Sequence, residues 1–388
     1  LTELLKKDLK DIRYDPADYE SIEMPTLGAK NGVKLYDMIG LDYNDPKWDE
    51  LLDQMTFDEM NSLIGDAFHW TMPVKSVEAP GTRDENGPQG LTASLLGNDK
   101  SQLTATAFTS EDVMAATFNT EIMTEIGKVI GNNCLEADIA CLYGPGNNIH
   151  RTPYGGRNFE YYSEDGFLSG MMSAYEVKAI QDKGVHVVMK HFALNDCEQD
   201  RIGLGVWLNE QAAREVYLKA FQAPVEVGNA NGVMIAYTRW GAVWSGGNYG
   251  LVTGILRNEW GFQGLISEDF IQDANYVVLK EAVLNGVTMS CNTGDNTMAA
   301  VSEKYPYWTV EAVSQDTTMM TALKQAMKYQ NYALANSNAM DGMASNTKLV
   351  SVRTWYDNAL TAVQIVFAAL TVLAAAMYVL NDRKSKKQ

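Results

Sequence analysis

The sequence predicts an α/β chain: a parallel (β/α)8 barrel of the TIM type, followed by a single C-terminal transmembrane helix. Two observations predict the barrel. Short apolar runs alternate with amphipathic ones over roughly 250 residues, the pattern of repeated strand–helix units. Most of these runs are apolar with few breaks, as strands buried on both faces are. A third observation predicts the helix: residues 359–380 are 22 positions without one charge. The alternative fold is a doubly wound open sheet. No G-x-G-x-x-G follows an early strand, which weakens it.

The elements follow in order. Residues 1–45 are mixed and charged, with Pro16 and Pro25, and read as a linker or edge segment. The barrel is expected over 46–340. Its first part, 46–65, has a helical apolar period with a stop at Gly65. Strands are expected at 138–144, 184–192, 232–237, 264–269 and 286–291, with helical stretches such as 164–183 and 209–228 between them. Residues 341–357 read as a tether. Residues 358–381 form the membrane helix and 382–388 a basic tail. At about 1.5 Å per residue the apolar stretch crosses a hydrocarbon core of roughly 30 Å. Trp355 and Tyr356 flank one end; Arg383, Lys384, Lys386 and Lys387 flank the other. The positive end is expected in the cytoplasm, with everything before residue 358 outside a cell membrane that the chain crosses once.

Composition narrows the partners. The net charge is −18, which disfavours nucleic acid and anionic membrane surfaces. Aromatic residues make up 10% of the chain, and neutral sugars stack on such rings. No CxxC, HxxxH or HExxH motif occurs, so neither a dedicated metal site nor a cofactor is expected. Cys134, Cys141, Cys197 and Cys291 read as isolated thiols. The chain opens on Leu1 without a signal-like segment and is expected to be a fragment or a processed product.

The strand ends carry the chemistry. Lys190 and His191 close one strand, Tyr237 the next, and Asp269 the one after. In a parallel barrel these ends share one rim and face a common pocket. Alternation along a strand allows only one of the neighbours Glu268 and Asp269 to enter that pocket. It does not choose between them.

Three segments carry a resemblance. "GPGNNIHRTPYGGRNFEYYSEDGFLSG" (144–170), "KHFALNDCEQDR" (190–201) and the stretch 232–270 with its L-R-x-E-W-G-F-x-G helix resemble glycoside hydrolase family 3, the β-glucosidase group. The likeness covers roughly 46–340, in order. It implies that Asp269 is the nucleophile and that Glu268 replaces a serine. It implies that Arg157, Lys190, His191 and Tyr237 line the first sugar subsite, with Arg151 and Arg201 matching further family arginines. Glu160 is expected to orient Arg157, and Arg201 to reach either the sugar or Glu198. Trp244 and Phe270, with Trp240, are candidate stacking platforms. The activity so implied is that of a retaining exo-β-glycosidase acting on an oligosaccharide or β-glycoside. A glycan-binding barrel without catalysis and a phosphorolytic enzyme are the alternatives.

Two positions depart from the family pattern. Asn86 stands where the family has the aspartate of Asp-Gly-Pro, with Asp84 two residues earlier; either is expected to bind sugar hydroxyls. The family's acid/base comes from a separate α/β sandwich domain, or from a histidine on the loop after K-H-F. This loop has no histidine. The acid/base is therefore expected on an upstream α/β sandwich domain, as in the branch with reversed domain order.

Overall fold

The computed structural model describes residues 23–65, 70–92, 105–269, 276–291, 308–350 and 352–385. The strands are β1 Trp70–Thr71, β2 Thr82–Asn86, β3 Cys141–Gly146, β4 His186–Phe192, β5 Gly205–Val206, β6 Gly232–Ile235, β7 Arg239–Trp240, β8 Val243–Trp244 and β9 Leu265–Glu268. The main sheet has the order β1-β2-β3-β4-β6-β9. Strand β1 is antiparallel to β2, and every other pair is parallel. Each main-sheet strand lies beside its predecessor, as in a winding barrel. Among the described residues no named strand forms at the expected 286–291, where Met289 makes a parallel bridge to Ser267. Among the described residues the sheet is thus an open row of six, not a closed ring of eight. Strands β5, β7 and β8 make a separate small sheet after β4 and β6.

Helices cover the outside. Asn119 caps α3 (Thr120–Glu136) and Asp165 caps α4 (Gly166–Gln181), each side chain accepting from first-turn amides. These two pack side by side, and α4 packs on α5 (Lys219–Glu226). Close approach needs small residues there. A Cβ on Gly127 would lie 2.6 Å from the Glu176 carbonyl, and one on Gly170 would lie 2.9 Å from that of Lys219. The expected helical run at 46–65 is two helices, α1 (Lys47–Leu52) and α2 (Phe57–Gly65). Thr56 and Glu59 explain the break. The Glu59 carboxylate accepts from the Thr56 amide at 3.0 Å, while the Thr56 hydroxyl accepts from the Glu59 amide at 3.3 Å. That reciprocal cap starts a new helix.

Alternation gives the sheet two faces. Leu142, Val187, Met189, Val233, Ile235 and Ile266 join the main core with the helices. Cys141, Tyr143, Val188, Met234 and Leu265 form a second cluster with Met289, Cys291 and Ala333. Ala333 comes from α6 (Thr317–Ala335), whose end reaches this inner face. Residues 33–43 are not a linker, as first expected. Val33, Leu35, Met38 and Tyr43 are buried, and Tyr43 stacks on Tyr329 of α6 at 5.3 Å. Their one 3-10 turn is too short to display a helical period.

Residues 348–388 form a second unit. Its helix α7 runs Trp355–Ser385, and Trp355–Asn381 is long and apolar enough to cross a membrane, with none of it buried. Its start is capped by Thr354 and Asp357 in the same reciprocal way as α2.

Candidate active site

Strand ends place the charged residues. Lys190 and His191 are the fifth and sixth residues of β4, where the ladder to β3 and the ladder to β6 both lose register. Irregularity of this kind re-aims side chains. Both neighbours therefore reach the same site, although regular alternation would send them to opposite faces. Asn148 holds the backbone here: its side chain accepts from the His191 amide at 2.8 Å and donates to the His191 carbonyl at 3.0 Å.

At the end of β9 the alternation is intact. Glu268 pairs with Ile235 and is 0% exposed. Its Oε1 accepts from the Cys291 amide at 2.6 Å and from the Ser290 hydroxyl at 3.3 Å. Asp269 follows with its side chain 16% exposed; its Oδ2 accepts from Arg201 Nη1 at 3.2 Å and lies 4.0 Å from His191 Nε2.

The contacts of Asp269 close into a ring. Arg201 Nε donates to Glu198 Oε1 at 3.0 Å. Asn195 Nδ2 donates to Glu198 Oε2 at 3.1 Å and to the Tyr161 hydroxyl at 3.2 Å. The Tyr161 hydroxyl lies 3.3 Å from His191 Nδ1, and His191 Nε2 returns to Asp269. With the ring proton on Nε2, His191 faces Asp269 with a donor and accepts at Nδ1 from the Tyr161 hydroxyl. Burial, with Arg157, Lys190 and Arg201 close by, pushes the imidazole pKa well below its ordinary value and keeps it neutral.

A second set of charges adjoins the ring. Lys190 Nζ is 3.3 Å from Glu160 Oε2, and Arg157 donates to Glu160 Oε1. Arg157 Nη1 is also 3.8 Å from Glu198 Oε1. Burial opposes the charge of Glu160, yet Lys190 and Arg157 together outweigh it and hold the carboxyl below its ordinary range. For Asp269 burial wins. Its pKa is raised, with Arg201, Arg157 and Lys190 pulling the other way. Tyr237 lies under the Arg201 guanidinium, 4.8 Å from ring centre to Cζ. Burial and the nearby Asp269 raise the pKa of its phenol.

The structure therefore gathers Arg157, Lys190, His191, Arg201, Tyr237 and Asp269. It does not gather every expected residue. Asp84 lies inside the sheet, paired with Cys141 and fully buried; Thr82 donates to it at 2.8 Å and Tyr143 at 3.1 Å. It belongs to the interior, because β2 runs straight through it. Asn86, at the end of β2, is the one nearer the rim. Arg151 is exposed and stacks over Tyr217 at 5.4 Å. Trp244 is a core residue rather than a platform: it is 6% exposed and its indole donates to the Ala236 carbonyl at 2.9 Å. Trp240 is half-buried against the core. Phe270 lies outside the described residues. Sequence reasoning missed Tyr161 and Asn195. Nothing local separates Tyr161 from Tyr162, which faces the core and donates to Glu176 at 2.6 Å.

An α/β domain with one charged cluster at the carboxyl ends of consecutive parallel strands is the ligand-site class of barrel proteins. The comparisons name the family. Residues 91–329 match the model of the glycosyl hydrolase family 3 N-terminal domain, and the chain belongs to that family. The chain is 34% identical over 256 residues to an exo-alpha-(1->6)-L-arabinopyranosidase of Bifidobacterium breve, covering 64% of this chain and 34% of that protein. It is 38% identical over 204 residues to a beta-glucosidase of Ruminococcus albus, covering 49% and 22%. The chain thus spans about a third or less of the length of these relatives. Among solved structures, beta-glucosidase 3B of Thermotoga neapolitana in complex with glucose matches with a TM-score of 0.67 and 29% identity, over 75% of this chain and 43% of that one. A beta-glucosidase from Paenibacillus barengoltzii matches with a TM-score of 0.71 and 25% identity, over 91% and 38%.

Proposed function

We propose that this chain is the barrel portion of a retaining, exo-acting β-glycosidase, with Asp269 as its nucleophile. The observation that carries the reading is the setting of Asp269: a carboxylate at a strand end, held on one oxygen by Arg201 and faced by a neutral His191. Such a group is oriented and can attack. Its oxygen bonds to the anomeric carbon as the bond to the leaving oxygen breaks; water then hydrolyses the glycosyl ester with the configuration retained. Arg157, Lys190, His191, Arg201 and Tyr237 supply donors for the hydroxyls of a terminal sugar. Asn86 takes the outer edge of that subsite, and no cofactor is required. Membership of the family and the beta-glucosidase names among the relatives support hydrolysis of glycosidic bonds.

The leaving oxygen also needs a proton. Glu160 is held in its charged form by Lys190 and Arg157, and Glu198 is engaged by two arginines, so neither is suited to donate. We assign the acid/base to a further, α/β sandwich domain. Helix α7 is assigned as a single membrane span, with its basic end cytoplasmic and the barrel outside. The test is incubation with a 2-deoxy-2-fluoro-β-D-glucoside bearing a dinitrophenolate leaving group, which needs no acid. Intact-protein mass should rise by one fluoroglucosyl unit, on the peptide that holds Asp269. Binding of the sugar without any label supports a glycan-binding barrel instead.

A further inference from the structure

Besides Asp269, the ring contains one further carboxylate, and it has no assigned task. Glu198 is a carboxylate in the pocket, 28% exposed, with both oxygens engaged. Its Oε1 meets Arg201 Nε at 3.0 Å and Arg157 Nη1 at 3.8 Å, and its Oε2 accepts from Asn195. Arg201 is thereby shared: one edge of the guanidinium serves Glu198 and only Nη1 serves Asp269. Both contacts on Asp269 fall on Oδ2. Among the described residues no hydrogen bond or ion pair falls on Oδ1.

We propose that Glu198 is a positioning residue that occupies Arg201 and Arg157 and so keeps them from closing on Asp269, leaving Oδ1 open to the reacting carbon. The reason is geometric. A guanidinium pairs best with a carboxylate through two parallel N–H donors. Freed of Glu198, Arg201 has the donors to take both oxygens of Asp269, and Arg157 is the next cation in line. A doubly paired carboxylate is a poorer nucleophile, because each oxygen then shares its electron density with a charged donor. Asn195 fixes Glu198 from the other side and links it to Tyr161 and His191, so the ring sets both contacts of Asp269, Arg201 and His191, together. This inference rests on Asp269 as the nucleophile only for its kinetic consequence; the pairing itself is independent of function.

Two measurements on the full chain in detergent test it. The first is titration of the Asp269 carboxyl by 13Cγ-aspartate NMR. Among the described residues the groups facing Asp269 are Arg201, Arg157, Lys190, Glu198, His191, Tyr237 and the Cys291 thiol. Glu198→Gln removes the one carboxylate among them and gives Arg201 wholly to Asp269, so the Asp269 midpoint should move to lower pH. An unchanged midpoint overturns the proposal. The second is the labelling rate with the fluoroglucoside. Glu198→Gln should slow the first-order labelling step roughly tenfold or more, the scale of one coupled charge contact, with the half-saturating inhibitor concentration changed less. Glu198→Asp restores the charge and should recover part of the rate. Labelling in Glu198→Gln as fast as in the wild type overturns the proposal. A wild type that titrates as described but takes no label separates the two ideas: the glycosidase reading fails and the positioning role stands. If Glu198→Gln does not fold, the titration is read in Glu198→Asp. There the charge retreats by one methylene and a smaller shift of the same sign is expected; no shift overturns the proposal.

Discussion

Glu268 and Asp269 are neighbours in the chain and face opposite sides of the sheet. Glu268 turns to the Cys291 amide at 2.6 Å, while Asp269 turns to Arg201 at 3.2 Å. Asp269→Ala should abolish fluoroglucosyl labelling, because no oxygen remains to form the ester. Glu268→Ala should still label. It should also lower stability by about 1–3 kcal/mol, since the Cys291 amide is left buried without that acceptor. Peptide mapping and denaturant unfolding read the two effects separately. A label on Glu268 would show the strand register to be off by one.

The pH dependence of labelling follows from Asp269. Burial raises its pKa above the ordinary aspartate value of about 3.9, and only the ionised form attacks. Labelling should therefore fall as pH drops, with its half-point above that of an ordinary aspartate. Lys190 works against the rise. Lys190→Ala should move the acidic limb to still higher pH. A limb that moves down, or stays, contradicts the electrostatics.

Glu160 and Lys190 are a buried pair, each nearly inaccessible. Glu160→Gln leaves the lysine charge without its carboxylate and also loosens Arg157. Breaking one side of such a pair costs about 3–5 kcal/mol. Chemical denaturation of the variant should show a loss of that order. A loss below about 1 kcal/mol would mean that the pair is solvated, as exposed pairs are.

Asp196 joins two site loops by accepting from the Ile149 amide at 2.6 Å. Burial pushes its pKa up to about 7, against the pull of that hydrogen bond and of Arg151. The folded value lies above the unfolded value of about 3.9, so its contribution is fully present below about pH 4 and is lost as pH rises through about 7. Asp196→Asn stays neutral and keeps an oxygen for Ile149. Its melting temperature should exceed that of the wild type at pH 8, and the difference should shrink toward pH 5. Equal differences at both pH values would exclude titration of Asp196 as the cause.

Helix α7 should partition the whole chain into vesicles. At 27 residues, about 40 Å at 1.5 Å per residue, the span Trp355–Asn381 exceeds the hydrocarbon thickness. Deleting residues 355–388 should release the chain to the supernatant on flotation. Continued flotation of the shortened chain would place the membrane contact elsewhere.

The sequence by itself determined the alternation of strands and helices, the apolar helix and the family. These are local or linear properties: the apolar period, the 22 uncharged residues at 359–380, and the motifs around Arg157, Lys190 and Asp269. Strand alternation limited the pocket to one of Glu268 and Asp269, and the motif chose Asp269. Only the tertiary structure decided which side chains meet. It supplied the means by which Lys190 and His191, both expected there, reach one site: β4 loses register at that point. It sent Asp84 into the interior and Trp244 into the core, and it brought residues 33–43 into the main unit. It closed Asp269, Arg201, Glu198, Asn195, Tyr161 and His191 into one ring drawn from three chain segments. Such a ring has no period and no spacing in sequence; its contacts exist only once the segment after β3, β4 with its following loop, and the end of β9 are folded side by side.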